Sequence, residues 1–185
     1  LSYSLLFSLP GTALIRYGDE IGMGENISLP GRSSVRTPMQ WSAGPNAGFS
    51  TAPKNRLVHP VIREGKFGSK KVNVLSQQQD PSSLLNWVER LMTTRKQTPE
   101  IGMGKGTLIR LGHGSLFAHA CEWRAVKIVF LHNFSRRMIR IRRNELFRRS
   151  EKIFEIFSSG KLIKEGGDIF LPGYGYLWIR VENWS

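Results

Sequence analysis

Cysteine is almost missing from this sequence. Cys121 stands alone among 185 residues, so the chain can build neither an intramolecular disulfide framework nor a cysteine-cluster metal site. Acidic residues are scarce: 14 Asp+Glu face 27 Lys+Arg, for a formal net charge of +13. No apolar run approaches the roughly 18 residues that a membrane-spanning helix needs. The histidines, His59, His113, His119 and His132, show neither an H-x-x-x-H nor an H-E-x-x-H spacing, which removes the zinc-helix chemistries and leaves them as packed or surface groups. There is no G-x-S-x-G elbow, P-loop or dinucleotide glycine pattern, and no calcium-loop spacing of oxygen ligands. No metal or cofactor is expected. Leu1 to Pro10 lack a basic n-region and a cleavage site. With the lone cysteine, this reads as a reducing, cytoplasmic setting.

What is present has a globular balance, with 40% hydrophobic and 22% charged residues, against wholesale disorder. The length allows one domain or two small ones. Leu5, Leu6, Phe7 and Leu9 arrive without a capping signal. Such residues would stay wet unless something upstream covered them, so the chain is expected to be a piece of a larger protein. Residues 1–9 read as the end of a helix broken by Pro10-Gly11. Thr12–Tyr17 read as a short buried strand with Gly18-Asp19-Glu20 at its end. From Ile21 to about Pro81 periodicity is poor and glycine and proline recur. A stretch of that kind inside a compact domain is usually functional. Asp80-Pro81-Ser82-Ser83 reads as a helix start with Asp80 or Ser82 as N-cap, and Leu84, Leu85, Val88, Leu91 and Met92 repeat at helical spacing, joined by Trp87, up to Thr98-Pro99.

After Gly102 the period becomes two. Strands are expected at Thr107–Leu111, Ser115–Ala120, Ala125–Phe134, Arg137–Arg142, Lys152–Phe157 and Tyr176–Val181. Gly112-His113-Gly114, Ser158-Ser159-Gly160 and Glu165-Gly166-Gly167 supply the turns. Together these predict a small antiparallel sheet or sandwich.

Three groups of residues could carry function. Asp19 and Glu20 sit at an expected strand end, but adjacent carboxylates point to opposite sides of a strand and make a poor acid–base pair, so one is expected to hydrogen-bond a loop. Arg32 and Arg36 lie in the long loop ahead of Thr37-Pro38-Met39-Gln40-Trp41. Two directional cationic donors beside an indole suit a hydroxyl-rich ligand, and a solvated loop is the plainer reading. Arg136, Arg137, Arg140, Arg142, Arg143, Arg148, Arg149 and Lys152 form a basic stripe opposed by Glu145 and Glu151. Without interleaved aromatics the stripe reads as a solvated strand face ahead of a nucleic-acid or other polyanion site.

The segment Pro10-Gly11-Thr12-Ala13-Leu14-Ile15-Arg16-Tyr17-Gly18-Asp19-Glu20-Ile21-Gly22-Met23 resembles the eighth strand of α-amylase-superfamily (glycoside hydrolase family 13) barrels. Arg36-Thr37-Pro38-Met39-Gln40-Trp41 with Asn46-Ala47-Gly48-Phe49-Ser50 resembles the following loop in the oligo-1,6-glucosidase and trehalose synthase branch. Val72-Asn73-Val74, Ser83-Leu84-Leu85-Asn86-Trp87 and Arg95-Lys96-Gln97-Thr98-Pro99-Glu100-Ile101-Gly102 look specifically like the trehalose synthases (maltose α-D-glucosyltransferases), and Tyr174–Val181 is similar to the end of their C-terminal β domain. The likeness is dense over residues 1–135 and thin over 136–170, where the basic stripe exceeds what the family leads one to expect.

The resemblance implies an α/β plus all-β chain. Residues 1–101 would be the last β/α unit of a (β/α)8 barrel (strand 8, long substrate loop, helix 8), and residues 102–185 a small antiparallel C-terminal β-sandwich. It implies a retaining mechanism whose aspartate nucleophile, glutamate acid/base and further aspartate lie on the fourth, fifth and seventh strands. Any calcium site would also lie upstream. This chain then holds no catalytic residue and is inactive alone. Arg32 and Arg36 match loop arginines near the acceptor sugar. Implied partners are the missing N-terminal barrel and, through it, maltose, trehalose or related α-glucosides, with no membrane and no nucleic acid. Two alternatives stay open: an α-glucosidase of the oligo-1,6-glucosidase kind, and a stand-alone carbohydrate-binding or interaction module using Trp41, Trp87, Trp123, Trp178 and Trp184.

Overall fold

A computed structural model describes residues 1–160, 162–163 and 166–182. Glu165 of the third expected turn and Trp184 lie outside the described residues. Five helices are described: α1 (Ser2–Ser8), α2 (Val74–Gln78), α3 (Leu84–Lys96), α4 (Glu100–Met103) and α5 (Arg143–Leu146). The strands are β1 (Lys105–Ile109), β2 (Leu116–Trp123), β3 (Val126–Asn133), β4 (Ile139–Ile141), β5 (Lys152–Ser158), β6 (Ile169–Leu171) and β7 (Tyr176–Glu182). Contacts divide the chain into two compact units, one of Leu1–Ala13 with Leu91–Ser185 and one of Leu14–Arg90.

In the first unit an antiparallel sheet runs in the order β1-β2-β3-β7-β5, and β4 pairs with β6 in a separate ribbon. Alternation along the strands sorts side chains onto two faces. Ala118, Ala120, Val129, Leu131, Leu177 and Ile179 form one core with Ile139, Ile141, Ile169 and Leu171 of the ribbon. Burying their apolar area contributes on the order of 25 cal/mol per Å². The opposite face carries His119, Ile128, Phe130, His132 and Trp178, all buried. That two-sided burial explains the unbroken apolar runs Ile128–Leu131 and Leu177–Ile179, where one wet face would have imposed alternation.

The second face is closed by α1. Ser4 Oγ lies 3.1 Å from His132 Nε2 and accepts the Trp178 indole N–H at 3.0 Å. His119 Nε2 donates to the Ser8 carbonyl at 3.0 Å. Arg95, at the end of α3, donates to the carbonyls of Phe7, Leu9 and Gly11. Those include the orphan acceptors of a helix C-terminus, where a cation also complements the helix dipole. From α4, the buried Glu100 pairs with Arg180 at 3.2 Å.

The structure corrects several expectations. Thr12–Tyr17 is not a strand, and Leu14 is 82% exposed. A strand exists only by pairing, and none of the described strands pairs with this segment. The helix starts later than Asp80 or Ser82 would place it. Ser83 Oγ accepts the Asn86 N–H, whereas Asp80 Oδ1 closes a local turn onto the Ser82 N–H at 2.8 Å. The strand expected over Arg137–Arg142 shrinks to β4, and α2, α4, α5 and β6 were unforeseen because they are too short to show a period. β2 and β3 are joined by Arg124-Ala125 at φ 48° and 58°, a tight turn without the usual Asn-Gly signature. Arg124 stacks on Trp123 at 4.3 Å.

Two predictions follow from the α1 seam. Ser4→Ala leaves the Trp178 N–H and His132 Nε2 buried without a partner and should cost about 1–3 kcal/mol in urea unfolding; an unchanged midpoint would refute the role of Ser4. Burial, with His119 alongside, pushes the His132 imidazole down to about 3. Unfolded chain therefore takes up this proton below pH ~6.5 while folded chain does not. The contribution of this one group to stability is full above that pH and is lost progressively as the pH falls towards 3. His132→Gln should remove that increment from the acid limb, whatever it does to stability at pH 7.

Candidate functional site

The second unit is built from turns. Short 3-10 segments at Asp19–Ile21, Gly31–Val35, Pro45–Gly48 and Lys54–Arg56 punctuate it, and α2 and the start of α3 close it. Its order comes from side chains that satisfy backbone groups. The buried Gln40 donates to the carbonyls of Phe67 and Val72. The carbonyls of Gln40 and Trp41 accept the first N–H groups of α2, from Val74 and Leu75, each at 3.0 Å. Asn73 caps the same helix through Ser76 N at 2.8 Å. Gln77 bridges the Ile21 carbonyl at 2.7 Å and the Leu85 N–H at 2.9 Å.

The turn after Trp41 is held in a costly conformation. Asn46, Ala47 and Gly48 have φ of 48°, 56° and 70°, a left-handed run that only glycine adopts freely. Asn46 stabilises it by donating to the carbonyls of Ser50 at 3.0 Å and Ala52 at 2.7 Å. The Ala47 carbonyl accepts both the Trp41 and Ser42 N–H groups. Gly48 is needed for space as well, since a Cβ there would stand 2.7 Å from Ser42 Oγ.

These constraints frame a cavity of about 630 Å³. Trp41 and Phe49, each 50% exposed, offer apolar faces to it. Tyr17, Glu20, Arg36, Arg56 and His59 bring polar groups to the same wall. The Tyr17 hydroxyl donates to the Thr37 carbonyl at 2.9 Å, tying two sides of the lining together. Glu20 Oε2 is buried without a hydrogen-bond partner, and Glu20 is the sole carboxylate in the lining among the described residues. Asp19 does what was expected of one member of the pair: its Oδ2 accepts the Arg16 N–H at 3.1 Å. Neither carboxylate stands at a strand end, because both lie in a 3-10 turn.

Of the two arginines singled out from sequence, Arg36 lines the cavity and Arg32 does not; Arg32 sits exposed in the Gly31–Val35 turn. Sequence reasoning passed over Phe49, Arg56 and His59. Of these, only Phe49 lay in a quoted motif, and the isolated basic residues carry no spacing signal. Among the described residues no group of His, Cys, Asp or Glu could hold a metal ion, and no helix is long and apolar enough to cross a membrane. The other expected sugar-stacking groups are less available: Trp178 is fully buried, and Trp87 and Trp123 are partly buried.

A family model described as alpha amylase, catalytic domain, matches residues 1–104. A trehalose synthase of Pimelobacter sp. (strain R48) is 48% identical over 101 residues, 55% of this chain and 18% of that protein. A trehalose synthase of Thermus thermophilus is 40% identical over 134 residues, 72% of this chain and 14% of that protein. The chain therefore spans less than a fifth of the length of either relative. In fold, the trehalose-6-phosphate hydrolase of Bacillus licheniformis superposes with a TM-score of 0.77 at 20% identity, over 97% of this chain and 38% of that one.

Gly48→Ala should destabilise the wall by about 1–3 kcal/mol, from the positive φ and the contact with Ser42. Ala47→Gly should be neutral or stabilising. Limited proteolysis of residues 42–52 reads both; equal cleavage of the two variants would contradict the strained-turn account.

Proposed function

The chain belongs to the alpha-amylase family, and from that premise we propose that it is the C-terminal part of a trehalose-synthase-like enzyme whose long loop forms one wall of an α-glucoside site. Residues 1–101 would complete the catalytic barrel and residues 102–185 would form the C-terminal β-sandwich. The parent would interconvert maltose and trehalose by intramolecular glucosyl transfer in the cytoplasm. The observation that carries this reading is the cavity beneath Trp41 and Phe49 with Arg36 at its edge. A sugar presents axial and equatorial C–H patches that pack on aromatic faces, and hydroxyls that accept from a guanidinium or donate to a carboxylate. A wall with all three groups suits that ligand better than an apolar or purely ionic one.

The same wall argues against catalysis by this chain alone. Retaining glycosyl transfer needs two carboxyl groups about 5–5.5 Å apart, one to attack and one to move the proton. Among the described residues Glu20 has no second carboxylate across the cavity. The part played by this chain would be binding: Arg36 orienting hydroxyls, Glu20 accepting from one, and Trp41 excluding water from one sugar face. Arg32, outside the lining, would act at longer range or not at all.

The purified 185-residue chain incubated with maltose should yield no trehalose, and trehalose formation would overturn the assignment. In the protein carrying the whole barrel, Arg36→Ala should lower kcat/KM for maltose by about 10–100-fold, or 1.4–2.7 kcal/mol of transition-state binding. Arg32→Ala should change it by less than about threefold. Equal losses for the two would remove the cavity as the deciding feature. Hydrolysis to glucose exceeding trehalose formation would favour the α-glucosidase alternative.

A further inference from the structure

The basic stripe is not a uniform solvated face. Arg140 is tied to Asp168, Nη2 to Oδ2, at 2.7 Å and lies over the Phe170 ring at 5.6 Å. Asp168 Oδ1 accepts the Arg143 N–H at 3.0 Å, so both oxygens of that carboxylate are engaged. The Arg143 guanidinium turns inward and donates to the carbonyls of Arg148 and Glu151. Room for it is made by Gly167, at φ +89°, where a Cβ would stand 2.8 Å from the Arg143 side chain. Glu151, itself buried, accepts the Arg148 N–H at 2.6 Å. The loop carrying Arg148 and Arg149 is thereby tied to α5 by bonds to its backbone.

This scaffold encloses a pocket of about 370 Å³ lined by Arg142, Arg143, Asn144, Phe147, Arg149 and Asp168. Neither Arg142 nor Arg149 belongs to an ion pair among the described residues. Like charges brought together on a rigid frame repel, and a bound anion relieves that repulsion. Guanidinium forks match the tetrahedral oxygens of a phosphate group. The pocket has the size of a small-molecule site. Phe147 is buried and presents no open ring on which a nucleic-acid base could stack.

We propose that Arg142, Arg143 and Arg149 form a binding pocket for the phosphate group of a small molecule. Arg142 and Arg149 contact the anion from either side, Asn144 supplies a neutral donor, and Arg143 is a positioning residue that holds the loop. The ligand is either inorganic phosphate or a phosphorylated metabolite, since both present the same oxygens.

The test is calorimetric titration of the chain with inorganic phosphate, glucose 6-phosphate and glucose at matched ionic strength. Saturable binding of the two phosphates and none of glucose is expected. Arg142→Glu/Arg149→Glu should weaken it at least about tenfold, while Lys105→Glu/Arg110→Glu, equal in charge change and placed on and next to the exposed strand β1, should leave it within about twofold. Arg149→Gln, at an exposed side chain, gives the same reading if the double variant does not fold. Tighter binding of glucose 6-phosphate than of phosphate identifies a phosphorylated metabolite, and equal affinity identifies the free ion. No saturation, equal loss in the control variant, or binding confined to a long single-stranded oligonucleotide overturns the proposal.

Discussion

The seam between α1 and the sheet is dehydrated, and its polar groups have only one another. The face of β2, β3 and β7 turned away from the ribbon carries two imidazoles and an indole N–H, and burying any of these without a partner costs more than a hydrogen bond returns. Ser4 answers the indole and the Nε2 of one imidazole, the last carbonyl of α1 answers the Nε2 of the other, and both Nδ1 atoms stay buried without a partner. A hydrophobic helix of equal size would cover the face and leave three polar groups unsatisfied. Arg95 then fixes where α1 ends by collecting its terminal carbonyls together with that of Gly11. Burial favours neutral imidazoles here, and His119 stacks on Phe130 and alongside His132.

The loop unit solves a different problem with the same currency of backbone satisfaction. With no sheet of its own, it must give each buried N–H and C=O a partner by other means. Gln40, Asn46, Asn73 and Gln77 do this with side-chain amides, each of which can donate and accept. The result is a wall ordered by hydrogen bonds from side chains to backbone. On the proposed reading, a half-exposed Trp41 already oriented by these bonds would lose little entropy when a ligand lands on it.

How much of this was legible follows from which forces write themselves into sequence. The antiparallel sheet announced itself through short β-rich runs between glycine turns, and α3 through Leu84, Val88 and Leu91. The strand expected at Thr12–Tyr17 failed because pairing is a property of two segments, and composition reports only one. The ribbon strand β6 and the helices α4 and α5 span three or four residues, too few to show a period. At the candidate site, the motif around Arg36 and Trp41 could be read, whereas Glu20, Arg56 and His59 reach the cavity through tertiary folding of turns. The two-residue turn at Arg124-Ala125 was hidden for a further reason: its left-handed residues are not the glycine or asparagine that usually betray such a turn.

The distribution of exposed apolar groups bears on the proposed role. Leu14, Ile27 and Val58 are 82%, 90% and 91% exposed, and all lie in the loop unit. Isolated exposed leucines are ordinary, but three nearly bare aliphatic side chains in one small unit are not explained by a shortage of polar surface. On the proposed reading they are contacts for the rest of a barrel, and Val58, which also lines the cavity, would then be covered by the neighbours that carry the catalytic carboxylates. On the same reading the wall would bind a sugar face, orient hydroxyls and exclude water. Bond cleavage requires a nucleophile and a proton donor placed on opposite sides of one glycosidic bond, and a single wall cannot supply both sides.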